Sequence, residues 1–173
     1  SELSPLEILE TYMSLAKLGE HTETSFVRFV TNEEGQALFE FKPRFEQRIH
    51  RGKTASLVGI MKQSLSSGTA KSISTSGFTQ PAAGKTGTTS DYRDAWFGGF
   101  TPDITTVVWV GIDNNESHGL TGASGAIPIW LDFMKNQTTN YSEHDWDWPD
   151  DVQKKIIEVN DPELGLTKIE LIQ

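Results

Sequence analysis

Gly84-Lys85-Thr86-Gly87-Thr88-Thr89, followed shortly by Asp94-Ala95-Trp96-Phe97-Gly98-Gly99-Phe100, decides how this chain is read. Glycine, β-branched and aromatic residues disfavour a helix and suit a strand. The stretch therefore predicts a strand over residues 82–89 that carries a lysine and three threonine hydroxyls. Ammonium and hydroxyl groups can bind a carboxylate. Gly87 leaves the backbone open to a ligand lying along it. The competing reading is a phosphate loop. That signature needs an earlier glycine where Thr79 stands, and a helix after the lysine to aim its amides at phosphate. Gly87 and the threonines that follow it do not suit such a helix.

Outward from this strand, residues 95–100 predict a second strand, Thr101-Pro102-Asp103 a turn, and residues 104–112 a third, apolar strand. Short turns between consecutive strands imply an antiparallel meander. Upstream, Ser4-Pro5-Leu6-Glu7 is a capping box with proline at the first helical position. A helix should run from there to about Lys17 and stop at Gly19, with Ile8, Tyr12 and Leu15 on its apolar face. Residues 26–30 and 37–41 read as a hairpin around Asn32-Glu33-Glu34-Gly35. Residues 42–53 read as charged surface. A second helix is expected over 54–67, with Leu57, Val58, Met61 and Leu65 inward and Gly68 closing it. Residues 72–80 read as a polar loop. A third helix, capped by Ser124, is expected over 125–136, with Ile127, Trp130, Leu131 and Met134 inward. Beyond Gln137 only residues 152–159 suggest an element, extended or helical. The fold class is α+β, an antiparallel sheet flanked by helices. Residues 1–137 form the main unit and 138–173 a tail that packs on it or extends from it.

The 173 residues carry a net charge of −9. That argues against nucleic acid or an anionic membrane surface as partner. There is no cysteine, so thiol catalysis and disulfides are excluded. The histidines at 21, 50, 118 and 144 show no ligand spacing, so neither a metal nor another cofactor is expected. His118 reads as a solvated loop residue, and the acidic run from Glu143 to Asp151 as solvated loop. Trp96 and Trp109 read as core residues rather than substrate-facing ones.

Several segments, in order, resemble the C-terminal half of the transpeptidase domain of class A penicillin-binding proteins. They are Ser4-Pro5-Leu6-Glu7 with Tyr12 and Ala16; Ser67-Gly68-Thr69-Ala70; residues 84–89; residues 94–102; Val108-Trp109-Val110-Gly111; residues 120–126; and Pro128-Ile129-Trp130. The resemblance implies the β-lactamase-like fold and acyl transfer in peptidoglycan cross-linking by a serine nucleophile. Its ligands would be peptidoglycan stem peptides and β-lactam antibiotics. The family site joins Ser-x-x-Lys, Ser-x-Asn and Lys-Thr-Gly, and this chain holds the third. Ser14 and Lys17 have the first spacing, but in a helix where the family has no such motif, so the spacing reads as chance.

By resemblance, Lys85 and Thr88 are catalytic, the Thr88 amide being one oxyanion donor. Thr86, Gly87 and Thr88 bind substrate. The first two motifs would come from an N-terminal part of the same domain, carried as a separate piece, and the chain's start reads as a cut in a longer protein. The full-length protein would be extracytoplasmic and anchored to the cell membrane outside this chain. The alternative is a non-catalytic peptide- or β-lactam-binding module on the same fold.

Overall fold

A computed structural model describes residues 3–137, 144–161 and 165–172. The expected capping box opens the first helix, α1 (Pro5–Ala16). Ser4 Oγ accepts from the Glu7 amide at 3.3 Å, and the Glu7 carboxylate accepts from the Ser4 amide at 2.7 Å. The Ser4 amide bond foremost, and then a bond from Ser4 Oγ to the same carboxylate at 2.8 Å, hold the Glu7 carboxyl below its usual range. The helix ends at Ala16, and the chain turns away through Leu18 and Gly19, both at positive φ, the 95° of Gly19 suiting glycine. Gly19 O then accepts from the amides of Arg48 and Ile49.

That contact ties together a strand pair absent from the sequence reading, β1 (Glu20–Thr22) with β4 (Phe45–Gln47). Residues 42–53 are exposed as expected, Gly52 apart, but they hold β4 and the start of the next helix. Between β1 and β4 lies the expected hairpin, shortened to β2 (Phe29–Thr31) and β3 (Ala37–Glu40), with every residue of both strands exposed. The next helix, α2 (Arg51–Ser66), starts earlier than expected. It buries Ala55, Val58, Met61 and Leu65 but leaves Leu57 exposed. Residues read as a polar loop hold a short helix, α3 (Lys71–Thr75), anchored by buried Ile73.

The expected meander is present as β5 (Ala83–Thr88), β6 (Asp94–Phe100) and β7 (Thr105–Gly111), antiparallel in that spatial order. Alternation along β6 divides the core. Phe100 packs on one face with Tyr12, Ala16, Val58 and Met61. Phe97 packs on the other with Leu65, Ile73, Ile127, Trp130 and Met134. Two close approaches need glycine here. A Cβ on Gly98 would sit 2.5 Å from the Tyr12 ring, and one on Gly99 would sit 2.8 Å from the Trp130 indole. The last helix is α4 (Ile127–Lys135), and Ile127, Trp130 and Met134 are buried as expected. Its start differs from expectation. A π-helical turn over Gly122–Ala126 precedes it, capped by Thr121, with Ser124 completing the capping box.

The tail supplies the largest departure. Trp146 is 5% exposed, joins the α1–α2 core cluster and donates from Nε1 to Ala16 O at 2.9 Å. Within the described part of the acidic run Trp146 is thus a packing anchor, while Asp147, Asp150 and Asp151 are exposed as expected. Two further strands, β8 (Lys154–Asp161) and β9 (Gly165–Ile172), form an antiparallel hairpin. Ile172 packs so closely on α2 that a Cβ on Gly59 would meet its side chain at 2.6 Å. Among the described residues no helix is long and apolar enough to cross a membrane.

Candidate functional site

The free edge of β5 is the centre of the candidate site. β5 ends the three-stranded sheet, with β6 on its inner side. The Thr89 amide donates to Asp94 O at 3.1 Å, which sets the phase of the ladder. In an antiparallel pair, directly opposed residues exchange both hydrogen bonds at every second position. Lys85 and Gly87 therefore bond inward to Gly98 and Trp96, while Gly84, Thr86 and Thr88 turn their amides and carbonyls to the open edge. Two side chains agree with this phase. Ser64 Oγ donates to Gly84 O at 2.6 Å, and Lys85 Nζ donates to Thr86 O at 3.1 Å. An extended peptide could add to this edge as a further strand.

Side chains divide across the sheet. Thr86 and Thr88 lie on the face of Phe97 and Ala95, and Lys85 and Gly87 on the face of Gly98 and Trp96. Lys85 is exposed, and its ammonium reaches back to the edge. Thr86 Oγ1 lies 2.9 Å from Thr69 Oγ1. Thr88 Oγ1 accepts from the Gly122 amide at 3.0 Å. That bond places the π-helical turn directly against the strand. A Cβ on Gly122 would lie 2.8 Å from Gly87 O and 3.0 Å from Thr86 Cβ. The structure thus brings Lys85, Thr86, Gly87 and Thr88 to one edge. It surrounds them with Thr69 and Gly122, which the sequence reading had given no role.

The turn from β5 to β6 is held tightly. Thr89 Oγ1 accepts from the Asp94 amide at 2.8 Å and donates to Asp94 Oδ2 at 3.1 Å. Asp91 and Tyr92 both take positive φ, at 63° and 54°. Asp94 Oδ1 accepts from Trp109 Nε1 at 2.8 Å. Trp96 and Trp109 are not core residues as expected: Trp96 is half-buried, Trp109 is 41% exposed, and their rings lie 6.0 Å apart on the sheet surface. The physical reason is coverage. Tyr12 of α1 packs over Gly98 and Phe100, farther along β6.

His118 also departs from expectation. Its amide donates to Tyr92 O, its Nδ1 accepts from the Leu120 amide at 3.0 Å, and its Nε2 is buried without a hydrogen-bond partner. The chance Ser-x-x-Lys spacing has no paired geometry. Ser14 Oγ donates to Glu10 O, and Lys17 Nζ donates to Pro102 O.

The family model for the penicillin-binding protein transpeptidase domain matches residues 1–135. Penicillin-binding protein 1A of Aquifex aeolicus is 35% identical over 167 residues, covering 95% of this chain and 22% of that protein. Penicillin-binding protein 1B of Escherichia coli is 33% identical over 136 residues, covering 79% of this chain and 16% of that protein. The chain thus spans about a fifth of the length of these curated relatives. Among solved structures, penicillin-binding protein 1A from Haemophilus influenzae superposes with a TM-score of 0.84 at 21% identity, over 98% of this chain and 32% of that one. The fold is therefore that of penicillin-binding transpeptidase domains.

Proposed function

This chain belongs to the family of penicillin-binding protein transpeptidase domains, and from that premise we propose that it is the C-terminal portion of a peptidoglycan D,D-transpeptidase. An N-terminal part of the same domain supplies Ser-x-x-Lys and Ser-x-Asn. The serine attacks the penultimate D-alanine carbonyl of a stem peptide, and the terminal D-alanine leaves. An amine of a second stem peptide then resolves the acyl-enzyme. β-Lactams enter the same site and trap the serine. The complete protein works outside the cytoplasm, anchored by a segment beyond this chain.

The outward phase of Thr88 on the edge of β5 carries this reading. A peptide lying along that edge has its reacting carbonyl within reach of the Thr88 amide, which acts as one oxyanion donor. Thr86 and Thr88 hold the ligand carboxylate by their hydroxyls. Gly87 offers no side chain to obstruct the bound strand. Lys85 raises the positive potential beside the carboxylate and, in the complete domain, meets the serine of the second motif.

Fluorescent penicillin and intact-mass spectrometry test the proposal. The chain joined by its N-terminal part should take one covalent label, and the chain alone should take none. A stable adduct on the isolated chain would overturn the division of the site. Absence of label on the complete domain would favour a non-catalytic binding module instead.

A further inference from the structure

Thr69 and Thr86, 17 residues apart in sequence, bring their hydroxyls within 2.9 Å of each other. The C-terminal turn of α2 is built to hold Thr69 there. Ser64 Oγ donates to Gly84 O at 2.6 Å, pinning the helix to β5. The chain then folds back, and the Ala70 amide donates to Ser64 O at 3.1 Å. Gly68 allows the fold-back, since a Cβ there would lie 2.8 Å from Ser64 Cα and 2.9 Å from its carbonyl oxygen. Ala70 is fully buried. Thr69 is thus fixed on both sides, by a crowded glycine and by a core alanine.

We propose that Thr69 is a positioning residue for Thr86: it donates its hydroxyl proton to Thr86 Oγ1 and so frees the Thr86 proton for a ligand carboxylate. The proton count carries the argument. A threonine hydroxyl has one proton and two lone pairs. Thr88 receives the Gly122 amide proton, so its own proton is available to an anion. Thr86 matches Thr88 only when Thr69 is the donor. With the bond reversed, Thr86 spends its proton on Thr69 and turns lone pairs toward the anion. A hydrogen bond to a charged acceptor is about twice as strong as a neutral one, so a bound carboxylate selects the first direction. Each bond of such a chain polarises the next. Thr69 therefore does for Thr86 what the Gly122 amide does for Thr88.

The inference rests on the proposed carboxylate-binding role of Thr86, and the test keeps the two apart. The complete enzyme and its Thr69→Val and Thr69→Ser variants are acylated with a penicillin and with the same penicillin as its methyl ester. Thr69→Val should slow acylation by the acid about tenfold and change the rate with the ester by less than about twofold. Thr69→Ser, which keeps the hydroxyl, should restore the acid rate. Equal slowing with acid and ester would make Thr69 merely structural and overturn the inference. Unchanged rates with both would do the same while leaving the transpeptidase reading intact. A wild-type enzyme that takes no label from the acid would overturn that reading and this inference together.

Discussion

The Gly122 amide donates to the Thr88 hydroxyl at 3.0 Å, and nothing larger than glycine fits where that amide sits. The neighbours of a Cβ at Gly122 include the carbonyl of Gly87 and Thr86 Cβ, parts of a paired strand that cannot move aside alone. Gly122→Ala should therefore push the π-helical turn off β5. Overpacking of this kind costs about 1–3 kcal/mol of stability. Displacing catalytic groups by about an ångström can slow a reaction roughly a hundredfold. Acylation of the complete enzyme by a β-lactam should fall by about that factor, with a lower melting temperature. A normal acylation rate would show that the Thr88 hydroxyl tolerates loss of its amide donor.

Asp145 gathers donors from two parts of the fold. Lys62 Nζ lies 2.7 Å from both carboxylate oxygens, the Trp146 amide donates to Oδ1, and Trp148 Nε1 donates to Oδ2. Burial by itself would raise the carboxyl's pKa. The hydrogen bonds and charge of Lys62, with the two tryptophan donors, outweigh burial and hold it below the usual range. A folded-state pKa below the unfolded one means stability fully present above the unfolded value and lost as pH falls through the folded one. Asp145→Asn should cost about 2 kcal/mol near neutral pH. The gap should begin to narrow below about pH 4, where the unfolded carboxyl takes up its proton, and go on closing as pH falls through the lower folded value. Melting curves of both proteins from pH 7 to pH 3 decide it, and a gap constant across that range would remove the carboxylate from the account.

The parts of this fold legible in the sequence obey local rules. The capping box at Ser4 and Glu7 and the strand at residues 83–88 are set by residue types a few positions apart, and both are present. The pairing of Glu20–Thr22 with Phe45–Gln47 has no apolar alternation to announce it, because it depends on the Gly19 carbonyl meeting distant amides. Trp146 sits in an acidic run and reads as solvated. Only tertiary packing on Ala16 and Phe100 makes it a core residue. At the site, Lys85 to Thr88 stood out as a motif. Thr69 stood in a segment quoted for its resemblance, Ser67-Gly68-Thr69-Ala70, yet no local rule ties a hydroxyl after a helix to a strand 17 residues on.

Trp130 separates stability from chemistry. It is fully buried, donates from Nε1 to Gly99 O at 3.2 Å and meets the Phe97 ring edge-on at 5.2 Å. Trp130→Phe removes the donor and leaves a void, at a cost of about 2–3 kcal/mol. The folded fraction should still be acylated at close to the wild-type rate, since Trp130 touches none of residues 85–88 through the bonds described. Denaturant melts and acylation rates normalised to folded protein provide the check. A loss of acylation larger than the loss of folded protein would tie the α4 core to the site.

Lys85 should behave in the opposite way. It is exposed, and its ammonium donates to the carbonyl of the neighbouring residue, Thr86 O, at 3.1 Å. Truncation opens no cavity, so Lys85→Ala should change folding stability by no more than about 0.5 kcal/mol. In the complete enzyme the same change removes a positive charge from the edge where the ligand carboxylate binds. Loss of one preorganised electrostatic contact in such a site costs roughly 3 kcal/mol of transition-state stabilisation, or about a hundredfold in rate. Lys85→Arg keeps the charge but replaces a compact ammonium with a broad planar fork, so it should recover only part of the rate. Acylation rates and melting temperatures of all three proteins settle the matter. Near-normal acylation of Lys85→Ala, or a loss that merely tracks unfolding, would remove Lys85 from the site and leave the Thr86 and Thr88 hydroxyls as its anion-binding groups.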